Sequence, residues 1–283
     1  MSTTDIVFDG WPLIGYTDRG GRSKVTGMTG WLTKSMRRER KSRSGDDGDW
    51  TSSGTVDGKT ITITGQAVYD SAQDAAVDRR LMLALGGRGL SELVVSDALG
   101  SLSALVEVDA MDVSVVRDTM LVFTITVHAP DPLLYGAPVS LSAGASGALL
   151  GTGRVWPRAW PRDWGNPVGA PPNSIIVPND GSVPYWPILR VNGPVDSAGF
   201  TVSVDETGDS LTYAGPLLDG QWVDIDCRNR RVLINGNLSH LYKVTFRGRW
   251  LAVPVGGAAF TLSAIGATAS TSLEVSGFEG AYL

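Results

Sequence analysis

The chain has 283 residues, 42% hydrophobic and 19% charged, with 35 glycines and 15 prolines, a balance that suits strands and turns and excludes a disordered chain or a helical bundle. A net charge of −5 gives no overall attraction to nucleic acid or to an anionic membrane, so any basic contact is local. One cysteine, Cys227, and two histidines exclude an intramolecular disulfide framework and argue against a thiolate–imidazole zinc site.

Met1 to Ile6 lack the basic start and apolar core of a signal peptide, and no apolar run of about 18 residues follows, so synthesis in a cytoplasm without membrane insertion is expected. Residues 5 to 16 read as two short strands joined by a turn at Asp9-Gly10. Gly27 to Leu32 read as another strand. Lys34, Arg37, Arg38, Arg40, Lys41 and Arg43 then crowd ten positions against Glu39 alone, and Asp46, Asp47 and Asp49 follow at once. Such a run is ordinarily a solvated loop. The sharper reading is an arm lying across an adjoining subunit, where blocks of opposite sign fix register.

Gly54-Thr-Val-Asp-Gly-Lys59-Thr60 approaches a phosphate-binding loop, but it is one residue short and is followed by the β-branched alternation Thr60 to Thr64 instead of a helix. Asp57-Gly58 reads better as a hairpin turn. Asp70 to Leu85 is the one helix, capped by Asp70 or Ser71, with Ala72, Ala75, Ala76, Met82 and Leu83 as its apolar stripe and Gly86-Gly87 ending it. Strands at Leu93–Ser96, Ser103–Ala110 and Met111–Val116 complete a barrel or sandwich with one helix.

Leu121 to Val127 alternates apolar residues with threonine at period two, the pattern of a strand with one buried face. Pro130 and Pro132 then remove two backbone donors, so the ladder stops and the chain leaves its sheet. The hinge His128 to Gly136 divides the chain into a first β domain over 1–135, a Gly/Pro/Trp-rich connector over 136–173, and a second domain over 174–283. In the connector, Trp156, Trp160 and Trp164 recur every fourth residue, but Pro157 and Pro161 disfavour a helix. With Trp186 and Trp222 these residues are candidates for sugar stacking or for packing within their own domain. From Ser174 onward about eight short strands with Gly/Asn/Asp turns, Asn235-Gly236 among them, give a β-sandwich pattern.

Only His128 and His240 are available as imidazole bases, and no Gly-x-Ser-x-Gly elbow presents a serine. Asp224/Asp226 and Asp205/Glu206 are carboxylate pairs of a common kind, with Asp224 and Asp226 on one strand face. No catalytic residue, cofactor or metal is assigned, and the chain is read as a non-enzyme.

Five stretches, in this order, carry a resemblance: Ala129-Pro-Asp-Pro-Leu-Leu-Tyr-Gly136, Trp156-Pro-Arg-Ala-Trp160-Pro-Arg, Asn179 to Pro194, Asp226 to Gly236, and Trp250 to Gly257. The chain resembles the distal tail proteins of long-tailed bacteriophages, in particular those infecting actinobacteria, often filed as minor tail proteins. It departs from them at Gly256-Gly257-Ala258, where relatives usually carry Gly-x-Asn. The resemblance implies a mostly β structural protein of the virion tail tip. Its first domain would close a six-fold ring between the tail tube protein and the trimeric hub or tail-associated protein, with the tape measure protein and other tail-tip proteins as further partners. The second domain would be a galectin-like sandwich outside that ring. The alternative function is a carbohydrate-binding module for host glycans, and a hydrolase using the paired aspartates is a third.

Overall fold

The computed structural model describes residues 5–87, 89–145, 174–264 and 266–283. The protein is mostly β, about 53% strand and 6% helix. It folds as two compact units, Met1–Gly136 and Ala137–Tyr282.

The first unit contains β1 (Asp5–Phe8), β2 (Trp11–Pro12), β3 (Gly15–Tyr16), β4 (Arg22–Thr29), β5 (Met36–Arg37), β6 (Arg40–Ser42), β7 (Asp49–Thr51), β8 (Thr55–Val56), β9 (Lys59–Val68), α1 (Ala72–Met82), β10 (Ser91–Asp97), β11 (Gly100–Arg117), β12 (Met120–Ala129) and β13 (Leu134–Tyr135). Its main sheet runs β2-β1-β10-β11-β12-β9-β4-β3, with β13 also against β11. Strand β12 is the centre of this sheet. Leu121, Phe123, Ile125, Val127 and Ala129 are each 0% exposed and alternate with half-buried residues, as the period-two pattern requires. A fully buried side chain of this kind contributes about 1.5–3 kcal/mol, so this row sets the register of both neighbours. Opposite Phe123 stands Gly65, where a Cβ would come within 2.3 Å of the ring. The glycine makes room for the aromatic.

Strand β11 serves two ladders in turn: Gly100–Val106 pair with β10, and from Glu107 onward the strand pairs with β12. A register shift between Val108 and Ala110 follows the change of partner and bends the strand, so the sheet curls into a nearly closed, barrel-like form. Helix α1 lies against it. Ser71 caps the helix by accepting from the Asp74 amide at 3.1 Å. Its buried face is Ala75, Asp78 and Met82, whereas Leu83, part of the expected apolar stripe, is 51% exposed. Asp78 occupies the core position because Arg19 reaches it at 3.0 Å. Arg79 donates from Nε to the Val113 carbonyl at 3.1 Å, covering a point on the β11 edge.

The second unit contains β14 (Pro138–Gly144), β15 (Ser174–Val177), β16 (Ile188–Asn192), β17 (Phe200–Val204), β18 (Ser210–Tyr213), β19 (Trp222–Asp226), β20 (Arg231–Ile234), β21 (Leu238–Ser239), a 3-10 turn (Leu241–Lys243), β22 (Val244–Arg247), β23 (Ala258–Ala264), β24 (Ser272–Phe278) and β25 (Ala281–Tyr282). Two sheets, β14-β24-β16-β19-β20-β21 and β15-β23-β17-β18-β22, form the sandwich. Leu189, Val191, Val223 and Ile225 of the first and Val202, Val204, Leu211 and Leu262 of the second are all 0% exposed and make its core.

Residues 138–144, assigned to the connector from composition, form β14 and pair along their length with β24. The alternation Val139, Leu141, Ala143 is present there, but small side chains and the flanking Gly/Ser composition conceal it. Asp57-Gly58 is not a hairpin turn either. Strands β8 and β9 pair with different partners, β5 and β12, and Gly58 is the bend between them.

Candidate functional site

Between Gly30 and Gly58 the chain leaves the barrel as a long hairpin. It can do so because Gly30 takes φ +89 beside the Thr60 carbonyl, where a Cβ would stand 2.0 Å from the oxygen. Trp31, 6% exposed, anchors the base, and Lys59 Nζ lies 3.5 Å from the Trp31 carbonyl oxygen. Burial lowers the Lys59 pKa, and the charge of Asp131 opposes that shift.

Beyond the base, two paired segments, β5 with β8 and β6 with β7, continue one ladder. The amides of Asp57, Ser52 and Arg43 donate to the carbonyls of Ser35, Glu39 and Gly48 at 3.0, 3.1 and 3.1 Å. Every residue from 32 to 53 is exposed, on both faces of the ribbon. Lys34, Arg37, Arg38, Arg40, Lys41 and Arg43 lie on or beside the outgoing strand. Asp46 and Asp47 sit at the tip, and Asp49 starts the return. Among the described residues no ion pair joins the two blocks. Arg37 pairs with Asp57 at the base, 2.5 Å away, and Arg43 lies over the Trp50 ring at 4.7 Å. Trp50 is 65% exposed and Leu32 80%. A two-stranded ribbon with no packed face is marginal by itself in water.

The aromatic candidates separate. Trp156, Trp160 and Trp164 lie outside the described residues. Trp186 is 41% exposed just before β16. Trp222 is half-buried at the start of β19, where alternation sends Val223 and Ile225 into the core and turns Trp222, Asp224 and Asp226 outward. Both aspartates accept hydrogen bonds from neighbouring side chains. Asp224 accepts from Arg190 Nε at 2.6 Å, Arg190 Nη2 at 3.2 Å and Trp222 Nε1 at 3.1 Å. Asp226 accepts from the Asn229 amide and side chain at 2.9 and 2.7 Å, which closes the β19–β20 turn. Asp205 and Glu206 likewise serve strand β23, Glu206 by accepting from the Ala259 amide at 2.8 Å.

Of the two histidines, His128 lies within β12 opposite Thr60 and Glu107. His240, in a loop as expected, is 8% exposed, with Nδ1 2.7 Å from the Tyr213 hydroxyl. Burial and the charge of Lys243 lower its pKa. Burial, and after it the charge of Asp226, pushes the Cys227 thiol well above its ordinary range. A 460 Å³ trough beside α1 is floored by Ala72, Ala75, Leu83 and Leu121, with Arg80 and Asp118 at its rim. Among the described residues no His, Cys, Asp and Glu come together as a metal-binding group, and no helix is long and apolar enough to cross a membrane.

Three residues that sequence reasoning had not singled out join Trp222 on its sheet face: Arg190, Asn192 and Glu274. The signal was the alternation of Leu189, Val191, Leu273 and Val275 with them.

Residues 180–276 match the family model described as the siphovirus-type tail component, C-terminal domain. Among solved structures, the chain is similar to the Dit protein of phage SPP1, described as a paradigm of the hub adsorption apparatus in phages infecting Gram-positive bacteria. The TM-score is 0.65 and the identity 14%, over 99% of this chain and 100% of that one. It is also similar to a chain of the phage P2 baseplate in its activated conformation with calcium, at TM-score 0.53 and 7% identity over 99% of both chains. A chain of the same baseplate with strontium matches at TM-score 0.52 and 9% identity over 98% of both. No curated protein matches the chain. Residues 180–276 thus carry the siphovirus-type tail component C-terminal domain, and the chain shares the fold of SPP1 Dit along its whole length.

Proposed function

We propose that six copies of the chain close into a ring through their first units, joining the tail tube to the trimeric hub or tail-associated protein at the tail tip, and so support host attachment. The part played by the chain is structural, not catalytic. The tape measure protein and other tail-tip proteins meet the same ring. The hairpin of residues 32–53 crosses to the neighbouring copy.

The single observation carrying this is that hairpin, solvated on both faces, with six cations on or beside its outgoing strand and three aspartates at the tip and the start of the return, the two blocks forming no ion pair with each other among the described residues. A partner surface supplies what it lacks: cover for Trp50 and Leu32, and counter-charges held in register. A head-to-tail contact repeated around a closed ring leaves no copy with an unfilled surface.

The test replaces residues 38–52 by Asn-Gly, which with Ser53 and Gly54 makes a four-residue loop and keeps the base pairs Met36–Val56 and Arg37–Thr55. The shortened chain is expected to keep its circular dichroism spectrum and melt, and to run as a monomer where the parent runs as a closed oligomer. An unchanged oligomer removes the arm from the interface.

A further inference from the structure

The outward face of the sheet β24-β16-β19 in the second unit carries a group of side chains that the tail-ring function does not use. Two cross-strand rows lie there. In one, Asn192 stands between Trp222 and Ser272; in the next, Arg190 stands between Asp224 and Glu274. All six point away from the core because the intervening Leu189, Val191, Val223, Leu273 and Val275 are at most 1% exposed.

Their positions are fixed by mutual hydrogen bonds. The Trp222 indole is tethered through Nε1 to Asp224 Oδ2 at 3.1 Å, and the Arg190 guanidinium lies 5.5 Å from the ring centroid. Arg190 grips both Asp224 oxygens, at 2.6 and 3.2 Å. Asn192 spends both its amide hydrogens, on Ser272 Oγ at 3.0 Å and Glu274 Oε1 at 2.8 Å. What remains is a mixed set. Arg190 keeps N–H donors and Ser272 its hydroxyl hydrogen, while Asn192 Oδ1 and Glu274 Oε2 remain as acceptors.

We infer that this face is a binding site for a neutral pyranose, with Trp222 as the stacking platform and Arg190, Asn192 and Glu274 reading its hydroxyls. A sugar ring presents an apolar C–H face to an aromatic and a rim of hydroxyls that each donate and accept, which is the complement of an indole flanked by pre-positioned donors and acceptors. The charge count selects the neutral class. Asp224 already matches Arg190, and Glu274 is left as an excess carboxylate, so a phosphorylated or carboxylated sugar meets repulsion and no unspent cation. A ladder serving only to lock strands together gains little from exposed ion pairs and has no need of an indole on the wet face.

The site stands independently of the ring, since none of its residues belongs to the first unit. Its test uses the full chain and, as probes, the methyl glycosides of glucose, galactose, mannose and N-acetylglucosamine with their neutral disaccharides, read by saturation-transfer NMR. At least one probe is expected to bind saturably. Its affinity should fall about tenfold or more in Trp222→Ala and in Asn192→Ala, the loss of one stacking or bridging contact, and stay unchanged in Trp186→Ala. Asn192→Ala covers the case in which Trp222→Ala fails to fold. Absence of saturable binding to every probe overturns the inference, as does binding that survives in both variants, and neither result bears on whether the first units form a ring.

Discussion

Asn179 offers the sharpest stability test in the second unit. It is 1% exposed, and its side chain makes four hydrogen bonds. Nδ2 donates to the carbonyls of Val183 at 2.9 Å and Val253 at 3.1 Å, while Oδ1 accepts from the amides of Gly181 at 3.1 Å and Ala281 at 3.2 Å. One side chain thus ties its own turn to two segments distant in sequence. In Asn179→Ala the Val253 carbonyl keeps the Tyr185 amide at 3.2 Å, but the other three groups lose these bonds. At about 1–2 kcal/mol for each of the three groups left unsatisfied, the expected loss is about 3–6 kcal/mol. Asn179→Asp keeps the acceptor but turns a carboxylate oxygen toward two carbonyls. That environment raises its folded pKa, so the variant is most stable below about pH 4, the unfolded value, and the deficit grows as pH rises through the folded value. The assay is urea unfolding followed by circular dichroism and tryptophan fluorescence, with the midpoint shift read at constant slope and each unit allowed its own transition. A loss below about 1 kcal/mol in Asn179→Ala would falsify the role of this side chain as the tie between its turn and the two distant segments.

His240 is held neutral by burial and by Lys243, so its folded pKa lies below its ordinary 6.5. The stability it contributes is present above pH 6.5 and is lost as pH falls through the folded value. Unfolding midpoints between pH 8 and 5 should show this loss in the parent and lose that component in His240→Asn; an identical slope in both refutes it. Cys227, 1% exposed with its thiol pKa raised, should resist Ellman's reagent in the native chain and react fully in denaturant. Stoichiometric native labelling would contradict its burial. Gly30→Ala should destabilise the first unit and disturb the arm together, since the Thr60 carbonyl occupies the space of the new methyl; an unperturbed melt would show that the arm does not depend on that turn.

Much of this architecture can be read from the chain because short-range chemistry sets it. The alternation of Leu121 to Val127 is β12, Ser71 and Asp74 open the one helix, and Asp9-Gly10 takes positive φ at both positions in the two-residue turn from Phe8 to Trp11. Asn235 and Gly236 also take positive φ, although Asn237 joins them in a three-residue loop. Tertiary context decides the rest. Asp78 reads as a solvated helix residue until Arg19, fifty-nine positions away, is placed beside it. Asn179 reads as a turn residue, and only the fold brings Val253 and Ala281 to its amide. The long reach of β11 stays hidden because its two halves serve different partners and a bulge follows the change. The charged arm is plain in the composition, yet its form as a ribbon bare on both faces is not, since charge runs of that kind ordinarily stay irregular. The Arg190–Asn192–Trp222–Glu274 face needs three strands in register before its residues become neighbours.

Native mass spectrometry of the purified full-length chain, with negative-stain class averages of the same sample, tests assembly most directly. A discrete six-subunit species with an open centre, which dissociates when residues 38–52 are removed, is the expected result. A monomer at every concentration up to the micromolar range, or an open-ended series of oligomers, would contradict it.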